Sequence, residues 1–126
     1  VGLLLLRLVV GLAFMFHGWG KIQAPFSWMG PDAGVPGFLQ ALAALSEFGG
    51  GLFWILGVLT ALASLGIAFT MAFAVYFHAV INGDPFVAMG PGQGSYELAL
   101  VYLVVAILLL AAGPGRFSVD NKIFKA

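Results

Sequence analysis

Residues 1–21 read VGLLLLRLVVGLAFMFHGWGK, an apolar run interrupted by Arg7 and His17 and closed by Lys21. A helix needs about 20 mostly apolar residues to cross a hydrocarbon core of about 30 Å, so this run is a first membrane span. A secretory signal peptide is the competing reading. Its apolar core is shorter and ends at a small-residue cleavage site, whereas this run ends in His17-Gly18-Trp19-Gly20-Lys21. Val1 stands where an initiator Met would, so the natural N-terminus is expected to be processed or to lie outside this chain.

The rest of the chain repeats the pattern. Of its 126 residues 62% are apolar and 8% charged, and the mean hydropathy is +1.08, far more apolar surface than a soluble domain of this size can cover. Further spans are expected at about 38–62, 63–81 and 95–112, with 1–21 the first, in one domain over 1–126 without a soluble module. The runs are continuously apolar, without the period-two alternation of barrel strands, so helices are expected. Pro25, Pro31 and Pro36 mark a first loop long enough to fold back over the helices, with Phe26 and Trp28 suited to the membrane interface. Asn82-Gly83-Asp84-Pro85 and Gly90-Pro91-Gly92-Gln93-Gly94 form a second loop, and Gly113-Pro114-Gly115 stops the last helix. The second glycine group lacks the Lys-Ser/Thr ending of a phosphate loop.

Short connections imply an antiparallel bundle of four transmembrane helices. Ser64, Ala68 and Ala72 recur every four residues and are expected to admit a neighbouring helix; Gly11 and Gly18, and Gly50, Trp54 and Gly57, offer similar grooves. With four spans both termini share a side. Arg7, Arg116, Lys122 and Lys125 fall there against Lys21 opposite, so both termini are expected to be cytoplasmic. Net charge is zero and no basic run is present, which excludes a nucleic-acid partner. Cysteine is absent, so the chain has no disulfide, thiolate metal site or thiol redox cycle of its own.

On this topology His17, Lys21, Glu47, His78 and Glu97 all come to the outer face. An ionisable group in hydrocarbon costs about 2.5–3.5 kcal/mol at mid-span, so these groups need partners or a function. Glu47 is the deepest, and Lys21 is within reach of Glu47 or Glu97. Two readings stand side by side: a structural polar network that fixes helix register, or a site for a quinone or similar amphipathic ring, whose oxygens a His or Glu can hydrogen-bond. A metal is disfavoured because the paired Glu-x-x-His helices of carboxylate-bridged sites are missing, and haem is disfavoured more strongly. Arg7 lies toward the other leaflet. It is expected to snorkel to lipid phosphate, with a pair to Asp120 as the alternative. In the tail Arg116, Ser118 and Asp120 read as a surface segment on the cytoplasmic side, with Ser118 or Asp120 as a helix cap and no catalytic role.

These residues lie in stretches that resemble the DoxX family of small bacterial membrane proteins: Arg7-Leu8 through Gly11, Phe14, His17-Gly18 and Lys21; Glu47 with Gly50, Gly51 and Gly57; Tyr96-Glu97; and Gly113-Pro114-Gly115-Arg116-Phe117-Ser118-Val119-Asp120. The resemblance covers nearly the whole chain and implies a four-helix bundle in the bacterial inner membrane. It also implies partnership with redox complexes, since family members are linked to a thiosulfate:quinone oxidoreductase subunit and to a complex with superoxide dismutase and a sulfurtransferase. Two functions are expected on this basis. One is an accessory, non-catalytic subunit associated through its apolar faces with other membrane subunits; the other is a quinone-interacting redox subunit that uses the His/Glu cluster. A transporter lacks support, because broken helices and inverted halves are missing.

Overall fold

The computed structural model describes residues 1–124, and these contain helices and loops but no strand. Lys125, which entered the charge count for orientation, lies outside the described residues. The helices are α1 (Gly2–Gln23), α2 (Gly37–Leu56), α3 (Thr60–Tyr76, continued by a π-helical turn over Phe77–Ile81), α4 (Glu97–Ala112) and the short α5 (Val119–Phe124). Three of them, with α3 counted through Ile81, are long and apolar enough to cross a membrane. The fourth apolar helix, α4, has 16 residues and is about 24 Å long, short of the hydrocarbon core.

Each long helix presents one narrow buried stripe. In α1 it is Arg7, Gly11, Phe14 and Gly18; in α2, Gln40, Ala44, Glu47, Gly50, Gly51 and Trp54; in α3, Thr60, Ala63, Ser64, Ile67 and Met71. Their spacing of three and four residues is that of a single helix face. α1 packs on α2, α2 on α3, and α3 on α4. Phe14 sits at the centre, 5.6 Å from the Trp54 ring and 4.6 Å from the Tyr102 ring of α4, and the Trp54 indole N–H donates to Ser64 Oγ at 2.9 Å.

Glycine sets the α1–α2 distance. A Cβ on Gly11 would lie 2.7 Å from the Gly51 carbonyl oxygen, and one on Gly18 would lie 2.7 Å from the Phe48 nitrogen. The expected Ser64, Ala68 and Ala72 stripe is corrected: Ser64 is buried, Ala68 half-buried and Ala72 exposed. Four residues turn a helix through about 400°, so a strict four-residue repeat drifts about 40° per step and leaves the interface.

The boundary between the second and third helices also moves, from Leu62 back to Leu56. Gly57 takes a left-handed conformation with φ 68° and ends α2. Its missing side chain leaves room for the Arg7 guanidinium and Ser118, which a Cβ would strike.

Candidate functional site

At the end of the molecule that holds the C-terminus of α1, Lys21 pairs directly with Glu47. The Glu47 side chain is 3% exposed and that of Lys21 26%, so the pair bridges the interior and the polar edge. The first loop folds back over it. Trp28 places its ring 4.4 Å from Lys21 Nζ, and its indole N–H donates to the Gln40 carbonyl at 2.8 Å. The buried Gln40 side chain binds the same loop twice, accepting from the Met29 amide and donating to the Val35 carbonyl, both at 3.0 Å. These bonds satisfy loop backbone groups that would otherwise face a poorly hydrated surface.

Two cavities adjoin the pair. One, of about 310 Å³, is bordered by Phe14, His17, Glu47, His78 and Tyr102. The other, of about 520 Å³, is an apolar groove between α2 and α3, with Phe69, Phe73 and Leu42 along its sides and Lys21, Trp28 and His78 at its polar end. Met71, Ala74 and His78 border both, so one face of α3 separates a polar-walled chamber from an apolar groove.

His78 owes its position to the π-helical turn at Phe77–Ile81, which carries the chain out of regular α geometry. Such turns are frequent at functional sites. His78 Nδ1 lies 3.0 Å from Asp84 Oδ2, and the Asp84 amide donates to the His78 carbonyl at 2.8 Å. Asp84 was not singled out from the sequence, where it reads as part of a turn before Pro85. Its distance of six residues from His78 matches no regular helical repeat, so no periodic signal marks it. Gly94 packs against the carboxylate, and a Cβ there would lie 2.8 Å from Asp84 Oδ2.

The five expected residues therefore do not form one cluster. Lys21, Glu47, His17 and His78 border the two cavities, and His17 lies exposed with its ring 5.9 Å from that of Tyr102. Glu97 is corrected: it is exposed, borders neither cavity and opens the first turn of α4. A carboxylate in the first turn of a helix is stabilised by the helix dipole and needs no interior partner. Tyr102, in the middle of an apolar helix, is the polar residue that α4 brings to the chamber instead, beside Leu98 and Ala99. Among the described residues no three of His, Cys, Asp and Glu are grouped to hold a metal.

The opposite end corrects the reading of Arg7. It is fully buried, donates through Nη1 to the Trp54 carbonyl at 3.0 Å and through Nη2 to the Phe117 carbonyl, and does not face lipid. The Trp54 carbonyl also accepts from the Gly57 amide at 3.2 Å, and it lies at the negative end of the α2 dipole, which draws in a cation. Ser118 accepts from the Asn121 amide at 3.1 Å and so caps α5, as the sequence suggested. Asp120 caps a different helix, accepting from the Leu59 and Thr60 amides at the start of α3 at 2.7 and 2.8 Å. Its own amide donates to the Gly57 carbonyl at 2.8 Å. Arg116 remains exposed. Burial raises the Asp120 carboxyl, but the two amides and the nearby Arg7 charge outweigh it and hold the group below its ordinary value.

A family model described as DoxX matches residues 2–79. An Escherichia coli protein, "Inner membrane protein YqjF", is 35% identical over 128 residues, covering 99% of this chain and 94% of its own length. A Haemophilus influenzae protein without an assigned role is 33% identical over 122 residues, covering 95% and 89%. A Bacillus subtilis protein with the name "Putative oxidoreductase CatD" is 27% identical over 128 residues, covering 99% and 89%. No solved structure matches the chain.

Proposed function

The chain belongs to the DoxX family of membrane proteins, and we propose that it is a small integral-membrane subunit of a bacterial redox or electron-transfer complex that holds a quinone-type ring between its helices. As a multi-pass membrane protein it associates with the lipid bilayer. The proposed arrangement is a single antiparallel four-helix bundle in the inner membrane with both termini cytoplasmic. The short α4 crosses with the help of its flanking loop or a locally thinned bilayer.

The observation that carries the reading is the shared wall of Met71, Ala74 and His78 between the 310 Å³ chamber and the 520 Å³ groove. Ligand sites are mostly apolar cavities of about 300–1,000 Å³ with a few converging polar groups. Here Glu47, His78 and Tyr102 are polar groups suited to ring oxygens, and the groove between α2 and α3 is suited to an apolar tail. The oxidoreductase label on the Bacillus subtilis relative points to the same class of chemistry. When bound, a quinone supplies two-electron, two-proton carriage; the residues of this chain orient its ring and exchange protons with it.

The direct Lys21–Glu47 pair favours a second reading, in which the polar groups satisfy each other and the protein is an accessory subunit without a ligand. Glu47→Gln separates the two. A purely structural pair loses thermal stability or assembly, by up to about 1.5–3 kcal/mol for a charge-assisted bond. A ligand site keeps assembly and loses bound quinone. Native mass spectrometry of protein gently solubilised from its own membranes reads co-purifying subunits and bound quinone together. Stoichiometric redox subunits with retained quinone support the proposal, and a free chain without quinone overturns it.

A further inference from the structure

His78 is the one residue of the site whose two ring nitrogens have separate circumstances. Nδ1 is held by Asp84 Oδ2 at 3.0 Å, and Nε2 has no hydrogen-bond partner among the described residues, while the ring borders both cavities. A carboxylate only accepts hydrogen bonds, so the Nδ1 position carries the proton and neutral His78 offers Nε2 as a lone pair. The π-helical turn and the close contact of Gly94 with Asp84 keep this arrangement at the cavity edge. The His78 side chain is 41% exposed and that of Asp84 19%, so the dyad touches both the cavity and the aqueous loop.

We propose that the His78–Asp84 dyad couples ligand binding to proton uptake, so that the site takes up a proton with the oxidised, carbonyl form of a ring ligand and none with the reduced, hydroxyl form. This rests on the quinone-type reading above. A ring carbonyl is an acceptor and requires an N–H at Nε2. Because Nδ1–H is already committed to Asp84, His78 takes a proton from water and becomes an imidazolium that donates to the carbonyl on one side and to Asp84 on the other. A ring hydroxyl donates directly to the Nε2 lone pair, and no proton crosses. No electron moves in either binding step. The other titratable groups bordering the two cavities are His17 and Lys21 of α1, Glu47 of α2 and Tyr102 of α4, whereas Glu97 of α4 borders neither. Lys21 and Glu47 neutralise each other, and of the two histidines bordering the chamber only His78 has a carboxylate on one ring nitrogen, which makes the dyad the proton-exchanging unit.

Asp84→Asn provides the sharpest control. An amide can either accept from Nδ1–H or donate to Nδ1, so the ring proton is free to sit on Nε2, and the neutral ring then donates to a carbonyl without taking up a proton. The measurement is isothermal titration of the full chain in lipid nanodiscs with decylubiquinone and decylubiquinol, in buffers of different ionisation enthalpy near pH 7.5. The expected result for the wild type is uptake of about one proton per decylubiquinone, with affinity falling up to about tenfold per pH unit as pH rises, and about none per decylubiquinol. Asp84→Asn is expected to bind decylubiquinone without uptake. Equal uptake with the two ligands in the wild type, which needs no variant to be read, overturns the proposal. So does uptake that persists in Asp84→Asn. Failure of the wild type to bind either ligand overturns the quinone-type reading itself, a result distinct from binding without proton coupling.

Discussion

Asp120 holds the N-terminus of α3 from outside that helix, and its two accepted amides are at positions where Leu59 has a positive φ of 46° and α3 has no side-chain cap of its own. A left-handed conformation at a branched residue costs about 1–2 kcal/mol, so these bonds hold a backbone that would otherwise relax. Asp120→Ala is expected to lower unfolding stability by about 1–2 kcal/mol, read from thermal melts in detergent. Because the folded carboxyl titrates below the unfolded one, its contribution is complete above the ordinary carboxylate range and disappears as pH falls through the lowered folded value. The melting temperature of the wild type should therefore drop more steeply between about pH 5 and pH 2 than that of Asp120→Asn. A parallel pair of profiles contradicts the assignment. The sequence offered a pair of Arg7 to Asp120 as the alternative to snorkelling; the bond to the tail goes to the Phe117 carbonyl instead, and a snorkelling arginine and a buried one have the same sequence context. The difference lies in the end of α2, where Gly57 stops the helix without a side chain and leaves the Arg7 guanidinium access to the Trp54 carbonyl.

At the scale of the helices, close approach of α1 and α2 depends on glycines that face backbone. Gly11→Ala places a methyl against the Gly51 carbonyl and is expected to cost about 1–3 kcal/mol, whereas Gly20→Ala meets nothing within 4 Å and is expected to be neutral or stabilising by up to about 1 kcal/mol. Melts of the two variants check the pair; equal losses contradict the packing account. The four apolar runs were legible because a helix in lipid must be apolar on nearly every side, a signal that survives without periodicity. Which face turns inward was less legible, since lipid-facing and interior residues share one composition. Glu97 shows the consequence. Its place at the start of an apolar run suggested an interior partner, yet it lies five residues, about 140° of helix rotation, from the inward-facing Tyr102 and is exposed. The Lys21–Glu47 pair was legible because the interior cost of Glu47 leaves few acceptable solutions. Asp84 was not, because a loop contact depends on the path of the chain rather than on spacing.

For the whole molecule, the proposed topology places both termini on the cytoplasmic side and the His78–Asp84 loop outside. The absence of native cysteine makes this directly measurable. Single cysteines in place of the exposed Gly92 and Lys122 are expected to react with a membrane-impermeant maleimide from the outer and the cytoplasmic side, respectively. The reverse pattern contradicts the orientation, and labelling of both from one side contradicts an odd number of crossings between them. The central claim concerns the chamber and groove that α3 divides, and Ala74 borders both with the smallest side chain of that wall. The most direct test is the quinone content of the protein purified from its own membranes into lipid nanodiscs, compared with that of Ala74→Phe. The account predicts a near-stoichiometric quinone in the wild type that is lost in the variant while the melting temperature is retained. Wild-type protein with no more quinone than the surrounding lipid carries, or equal quinone in both proteins, contradicts it.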